Sequence, residues 1–140
     1  MSLAAIEIKG WCPGALRPMP SGDGLIARIR PRCGAFSLDQ ARGIAEIAAR
    51  LGNGHIDLTR RANLQIRGLA EGGLSELHAA LDTLGLLDPD PETEAARNIM
   101  VSPLAGLDPV ELVDVRPLAR ELACAIAADR RFGVLPAKFG

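Results

Sequence analysis

The sequence contains no tyrosine, one tryptophan and three phenylalanines, so aromatics make up 3% of its 140 residues. That scarcity argues against a single-strand nucleic-acid platform, which stacks bases on exposed aromatic rings. It also requires an aliphatic core, for which a hydrophobic share of 48% is ample. Neither sign of charge dominates, since 16 basic and 17 acidic side chains leave a net charge of −1. Global attraction to nucleic acid or to an anionic membrane is thereby excluded, and any anion site must be local. No apolar run reaches the ~20 residues that span a bilayer, and no secretory signal pattern is seen, so the expected location is the cytoplasm. The cysteines, Cys12, Cys33 and Cys124, are odd in number and far apart. They match neither a metal-ligand spacing nor a disulfide framework and read as ordinary small thiols. The length suits one ordinary domain.

The most informative stretch is residues 57–68, Asp-Leu-Thr-Arg-Arg-Ala-Asn-Leu-Gln-Ile-Arg-Gly. From Arg61 it alternates. Arg61, Asn63, Gln65 and Arg67 fall on one side, and Ala62, Leu64 and Ile66 on the other, which is the period of a strand with one buried face. The polar side holds only cations and amides. Such a surface suits a ligand with several carboxylates or phosphates, because guanidinium pairs with them in a two-pronged fashion. A solvated sheet face would also alternate. A second stretch, Leu25-Ile26-Ala27-Arg28-Ile29-Arg30, alternates as well. If both strands share a sheet, their apolar sides face one core and Arg28 and Arg30 join Arg61 and Arg67 outside. Four arginines with no acid among them repel one another unless something anionic lies across them.

The rest of the chain supplies the frame. Glycines and prolines over residues 10–24 mark a defined loop that ends in a Gly22-Asp23-Gly24 turn. Ser37 and Gln40 form a capping box ahead of a helix whose apolar stripe is Leu38, Ala41, Ile44, Ala45, Ala48 and Leu51. Gly52 stands where a left-handed helix end is expected. A short strand over 55–58 follows; His55 at its start is isolated and reads as structural. Leu74, Leu77, Ala80, Leu81 and Leu84 mark a second helix, ended by Gly85. The order strand, helix, strand, strand, helix predicts an α+β fold, with an antiparallel or mixed sheet and helices on one face. Residues 1–23 read as a lead-in, 24–91 as this half-domain and 92–140 as the opening of a second α/β domain. Within the last part, 98–101 reads as a strand and about 116–129 as a helix with Pro117 in its first turn.

These motifs resemble the ferredoxin-like half-domain of nitrite and sulfite reductases. In that superfamily a Thr-Arg strand ending in Gln-x-x-Gly lies over a sirohaem; Thr59, Arg61, Gln65 and Gly68 fit it, and Arg28 and Arg30 fit an earlier Arg-x-Arg strand. Leu135-Pro136-Ala137-Lys138-Phe139 is similar to a segment whose lysine faces the active site. Within the superfamily the sequence is similar to the precorrin-3B synthases through Gly10-Trp11-Cys12-Pro13-Gly14, Pro18-Met19, Ser21-Gly22-Asp23-Gly24-Leu25, residues 52–58 and Leu86-Leu87-Asp88-Pro89-Asp90. Gly140 stands where the reductases carry a second lysine, a departure that argues against sulfite or nitrite as substrate.

The resemblance implies a monooxygenase of aerobic cobalamin biosynthesis that converts precorrin-3A to precorrin-3B by C20 hydroxylation and lactone formation. It implies Lys138 as a catalytic cation, and Arg28, Arg30, Arg61, Asn63, Gln65 and Arg67 as contacts to a polycarboxylate tetrapyrrole. A [4Fe–4S] cluster on four cysteines, and possible iron, belong to the longer enzyme; this chain lacks the four cysteines and is expected to hold no cofactor and to be inactive alone. The expected partners are the tetrapyrrole, the missing C-terminal half and a second copy in a homodimer, with no nucleic acid or membrane. The alternatives are part of a sirohaem-dependent sulfite or nitrite reductase, or a non-catalytic anion- or tetrapyrrole-binding module.

Overall fold

A computed structural model describes residues 12–135. Four strands form one antiparallel sheet: β1 (Met19–Ser21), β2 (Gly24–Ile29), β3 (Ile56–Leu58) and β4 (Leu64–Leu69), in the order β1-β2-β4-β3. The helices are α1 (Leu38–Leu51), α2 (Leu74–Thr83), α3 (Pro91–Ala96) and α4 (Arg116–Ala128). The α+β architecture is the expected one, and every strand pair is antiparallel. The short β1 was hidden by its prolines, since Pro18 and Pro20 make the stretch look like loop while an edge strand tolerates them.

Helix α1 begins at the expected capping box. Gln40 N–H donates to Ser37 Oγ at 3.1 Å, and Ser37 N–H donates to Gln40 Oε1 at 2.9 Å. Its amide then donates to Leu84 O at 2.9 Å, tying the start of α1 to the end of α2. The buried stripe of α1 is Ile44, Ile47 and Ala48, and that of α2 is Leu77 and Leu81. Leu38, Ala41 and Ala45, assigned to the stripe by spacing, are exposed, and Ile47, outside that spacing, is buried. These helices cover Ala27 and Ile29 of β2 and Ile66 and Leu69 of β4. Each large buried aliphatic there is worth about 2–5 kcal/mol against truncation to alanine.

Two local features refine the expected outline. The alternating strand starts at Leu64, and Arg61 and Ala62 lie in the β3–β4 turn. Ala62 has φ 53°, so the alternation seen from Arg61 is broken where the backbone becomes left-handed. Further on, β4 carries a bulge: Leu25 pairs with Leu69 and Ala27 with Ile66, so Arg67 and Gly68 together oppose Ile26. Gly68 supplies the left-handed φ of 70°, and the extra residue returns Leu69 to the core. Gly52 is not left-handed, having φ −107°. It is needed for close approach instead, since a Cβ there would sit 2.5 Å from Arg67 O.

Beyond the half-domain, the polar stretch after Pro91 is helix α3, and no strand forms over 98–101. Asp90 caps α3 by accepting from Thr93 N–H at 2.7 Å, and Pro91 fills the first turn. Asn98 there bonds a side chain of the half-domain rather than a neighbouring strand.

Candidate functional site

The sheet has a helix-covered face and an outer face. Strand register puts Arg28 opposite Gln65, and Gln65 opposite Asp57, in one row across β2, β4 and β3. By alternation Arg30 and Arg67 lie on the same side as that row. The predicted residues separate here into three groups with different surroundings.

Arg28 and Arg30 sit at the end of β2 under the 12–17 loop. Arg28 Nη1 donates to Cys12 Sγ at 3.1 Å, and its backbone N–H donates to Gly14 O at 3.2 Å. Arg30 is 5% exposed; its Nη2 donates to Pro13 O at 3.1 Å and its Nη1 lies 3.5 Å from Glu94 Oε1. Three buried guanidinium nitrogens, Arg28 Nε, Arg30 Nε and Arg30 Nη1, have no hydrogen-bond acceptor among the described residues. Burial pushes the Arg30 guanidinium down from its ordinary range, partly offset by the Glu94 carboxylate.

Arg67 is neutralised. Its Nε and Nη2 donate to the two carboxylate oxygens of Asp23 at 3.0 Å each, its Nη1 to Asp57 at 3.3 Å and its Nη2 to Ser21 Oγ at 3.1 Å. The expectation of an outer face free of acids is therefore corrected. The β1–β2 turn delivers Asp23, and the short edge strand β3 delivers Asp57, and both lie outside the two arginine-bearing strands.

Asn63 is buried and its amide donates to Asn98 Oδ1 at 2.9 Å. Arg61 lies in the turn, where Thr59 Oγ1 accepts from both Arg61 N–H and Asn63 N–H at 3.3 Å. This hydroxyl staple sets the turn that carries the half-exposed Arg61. Lys138 lies outside the described residues.

Helix α3 adds two charged side chains that the sequence reading left unassigned. Glu94 and Arg97 are i,i+3 neighbours on its inner side, each 4% exposed. Glu94 accepts from Ala15 N–H at 2.6 Å and Leu16 N–H at 3.2 Å, a cradle that Gly14 keeps open, since a Cβ at Gly14 would collide with the carboxylate. Burial pushes the Glu94 carboxyl up from its ordinary range, opposed by the Ala15 amide and by Arg30. Arg97 grips Asp88 and also donates to Arg30 O at 3.0 Å. The signal for this pair was the i,i+3 spacing of an acid and a base inside an otherwise solvated-looking run.

Between the 12–17 loop and α3 lies a cavity of about 260 Å³, lined by Cys12, Gly14, Arg17, Arg30, Glu92 and Glu94 among others. It brings Arg30 and Glu94 to the same opening. No group of three or more His, Cys, Asp or Glu side chains that could hold a metal ion occurs among the described residues. Cys12 is bonded by Arg28, Cys33 donates to Arg116 O at 3.6 Å and Cys124 is exposed, so they do not form a seat for an iron–sulfur cluster. No helix of the described residues is long and apolar enough to cross a membrane.

Residues 17–84 match the family described as the nitrite/sulfite reductase ferredoxin-like half domain. Over 120 residues the chain is 41% identical to a precorrin-3B synthase of Sinorhizobium sp, a match covering 84% of this chain and 25% of that protein. It is 33% identical over 134 residues to a ferredoxin–nitrite reductase of Leptolyngbya laminosa, covering 92% of this chain and 26% of the relative. It is 32% identical over 105 residues to the chloroplastic ferredoxin–nitrite reductase of Spinacia oleracea, covering 74% and 18%. The chain thus spans about a quarter or less of the length of these relatives.

Proposed function

Residues 17–84 belong to the nitrite/sulfite reductase ferredoxin-like half-domain family, and from that premise we propose that this chain is the part of a precorrin-3B synthase-like oxidoreductase that presents an arginine-lined face to a polycarboxylate tetrapyrrole. The observation that carries the reading is the trio of buried guanidinium nitrogens on Arg28 and Arg30 without an acceptor. A buried donor left unsatisfied costs about 1–3 kcal/mol, and a ligand carboxylate arriving at these nitrogens removes that cost. Arg61, on its stapled turn, reaches the same ligand from the β3–β4 end, with Gln65 in the central row and Asn63 fixing the turn. Arg67 contributes to the shape of the face rather than to its charge, because Asp23 and Asp57 already neutralise it.

In this reading residues 24–91 are the binding half-domain and 92–140 open a second α/β domain, with Lys138 as a catalytic cation. The whole enzyme would be a cytoplasmic monooxygenase that converts precorrin-3A to precorrin-3B by C20 hydroxylation and lactone closure, with an iron–sulfur cluster held by residues other than those described. A second reading, part of a sirohaem-dependent nitrite reductase, draws on the 33% identity over 92% of this chain. Both place a carboxylate-edged macrocycle on the same face.

Absorption titration of the chain with uroporphyrin, an octacarboxylate macrocycle, tests the shared claim. Arg61→Ala should weaken binding by about 1.5–3 kcal/mol, the value of a charge-assisted hydrogen bond. Arg67→Ala should leave it nearly unchanged. Equal losses for the two variants, or no binding by the wild type, would remove the assignment.

A further inference from the structure

Glu94 and Arg30 form a buried pair that is not closed. Their nearest approach is 3.5 Å, and Arg30 Nη1 has no hydrogen bond at that distance. The two carboxylate oxygens are instead spent on the Ala15 and Leu16 N–H groups. Arg30 in turn spends Nη2 on Pro13 O. Both side chains line the same cavity of about 260 Å³, and the buried Nε and Nη1 of Arg30 lack acceptors. An anion entering the cavity therefore finds one guanidinium with open donor positions and one carboxylate beside it.

That arrangement has an electrostatic consequence. A ligand carboxylate docked on Arg30 comes within a few ångströms of Glu94, so two carboxylates share one guanidinium. Buried like charges at that range do not both stay ionised; one takes up a proton. Arg30 Nη1, at 3.5 Å, is the cation that the Glu94 carboxylate faces. Arg97 is committed to Asp88, which itself faces Glu94 as a further negative charge. Glu92 adds an acid to the cavity wall beside Arg17 and Cys12. Arg28 donates through Nη1 to Cys12 and keeps its charge, with Nε lacking an acceptor, and His78 reaches the loop only through Ala15 O, at 2.9 Å from Nε2. Burial already favours the neutral form of Glu94.

We propose that an anionic ligand entering this cavity binds Arg30 with uptake of one proton from solvent onto the Glu94 carboxylate, which makes Glu94 the proton-linked counterion of the ligand site. The inference rests on the reading of this face as a polycarboxylate site. The two N–H donors from the loop explain how Glu94 stays in place on protonation, since a carboxylic acid still accepts through its carbonyl oxygen. Glu94 is a positioning residue in this scheme: it sets the charge state in which Arg30 meets the ligand.

The test is calorimetric titration of the chain with uroporphyrin in two buffers of different ionisation enthalpy, which counts protons taken up per ligand bound. The wild type should take up about one more proton than Glu94→Gln, and its Kd should rise about tenfold per pH unit above the titration of the ligand-free Glu94 carboxyl, where Glu94→Gln stays flat. Glu94→Asp should restore uptake. Should Glu94→Gln fail to fold by circular dichroism, the carbon-13 shift of the Glu94 carboxyl in the wild type reads the same event and should move to its protonated value at saturation. Binding with equal uptake in wild type and Glu94→Gln, or an unmoved Glu94 carboxyl, overturns the proposal and leaves the arginine-face reading standing. Absence of any uroporphyrin binding overturns both.

Discussion

Arg97 holds Asp88 through two parallel hydrogen bonds of 2.7 Å, and its Nη2 reaches the backbone oxygen of Arg30 at 3.0 Å. Both side chains are under 5% exposed. This contact joins α3 to the end of the arginine strand, so it fixes where Arg30 sits. Removing one partner of such a pair strands a buried charge. Arg97→Ala should therefore cost about 3–5 kcal/mol, while replacing both partners with apolar residues of similar volume should cost far less. Urea unfolding measures both. A loss below about 1 kcal/mol for the single variant, the range of exposed pairs, would mean the contact is solvated.

How much of this was legible in the sequence depends on whether the signal was local. The α1 capping box is a four-residue pattern and appears as read, as do the α2 stripe and the Arg28–Gln65 side of the sheet, whereas the α1 stripe turns to bury Ile47 and leaves Leu38, Ala41 and Ala45 exposed. The left-handed Ala62 was not legible, because alanine carries no mark of it and the alternation from Arg61 runs straight through. The quenching of Arg67 by Asp23 was not legible either, because the partners are 44 residues apart and meet only when β1 folds onto β2. The Glu94–Arg30 pair fails for the same reason, and because an acidic run next to prolines ordinarily reads as solvated.

The Arg67–Asp23 contact has a pH signature. The hydrogen bond from Arg67, with that from Ser21, holds the Asp23 carboxyl below its ordinary value of 3.8. A depressed carboxylate pKa means that the contact is fully present above about pH 4 and is lost only as pH falls through the lowered folded value. In Arg67→Ala the Asp23 carboxyl, followed by carbon-13 NMR, should titrate at a higher pH than in the wild type. An unchanged midpoint would show that the guanidinium is not its partner in solution.

The bulge in β4 makes a prediction about glycine. Gly68 has φ 70°, and an added Cβ would lie 2.7 Å from Asn53 Cβ and 3.0 Å from Asn53 N. Gly68→Ala meets both the conformational cost and the clash, and should destabilise by about 1–3 kcal/mol. Gly72 has ordinary φ and nothing within 4 Å, so Gly72→Ala should be neutral or stabilise by up to about 1 kcal/mol through the unfolded chain. Thermal unfolding of the two variants side by side checks the contrast, and equal effects would place the bulge elsewhere.

The last prediction concerns association. Strand β3 is a sheet edge, and Leu58 at its end is 83% exposed. Further along the chain Leu107, Val110, Leu112 and Val113 are each more than 65% exposed. Helix α4 could have covered the β3 edge, but its main contacts are α3 and the single helical turns at Arg32–Gly34 and Arg130–Val134. An open edge offers unpaired backbone donors and acceptors to another strand, and a two-fold pair of identical chains is the commonest closed way to satisfy them. The isolated chain should therefore form a homodimer that buries more than about 1,000 Å². Light scattering behind size exclusion should give twice 14.8 kDa at micromolar concentration. Leu58→Lys, which puts a charge on the edge, should return the mass to that of one chain. A wild-type mass of 14.8 kDa at the same concentration would show that the exposed edge recruits no partner copy.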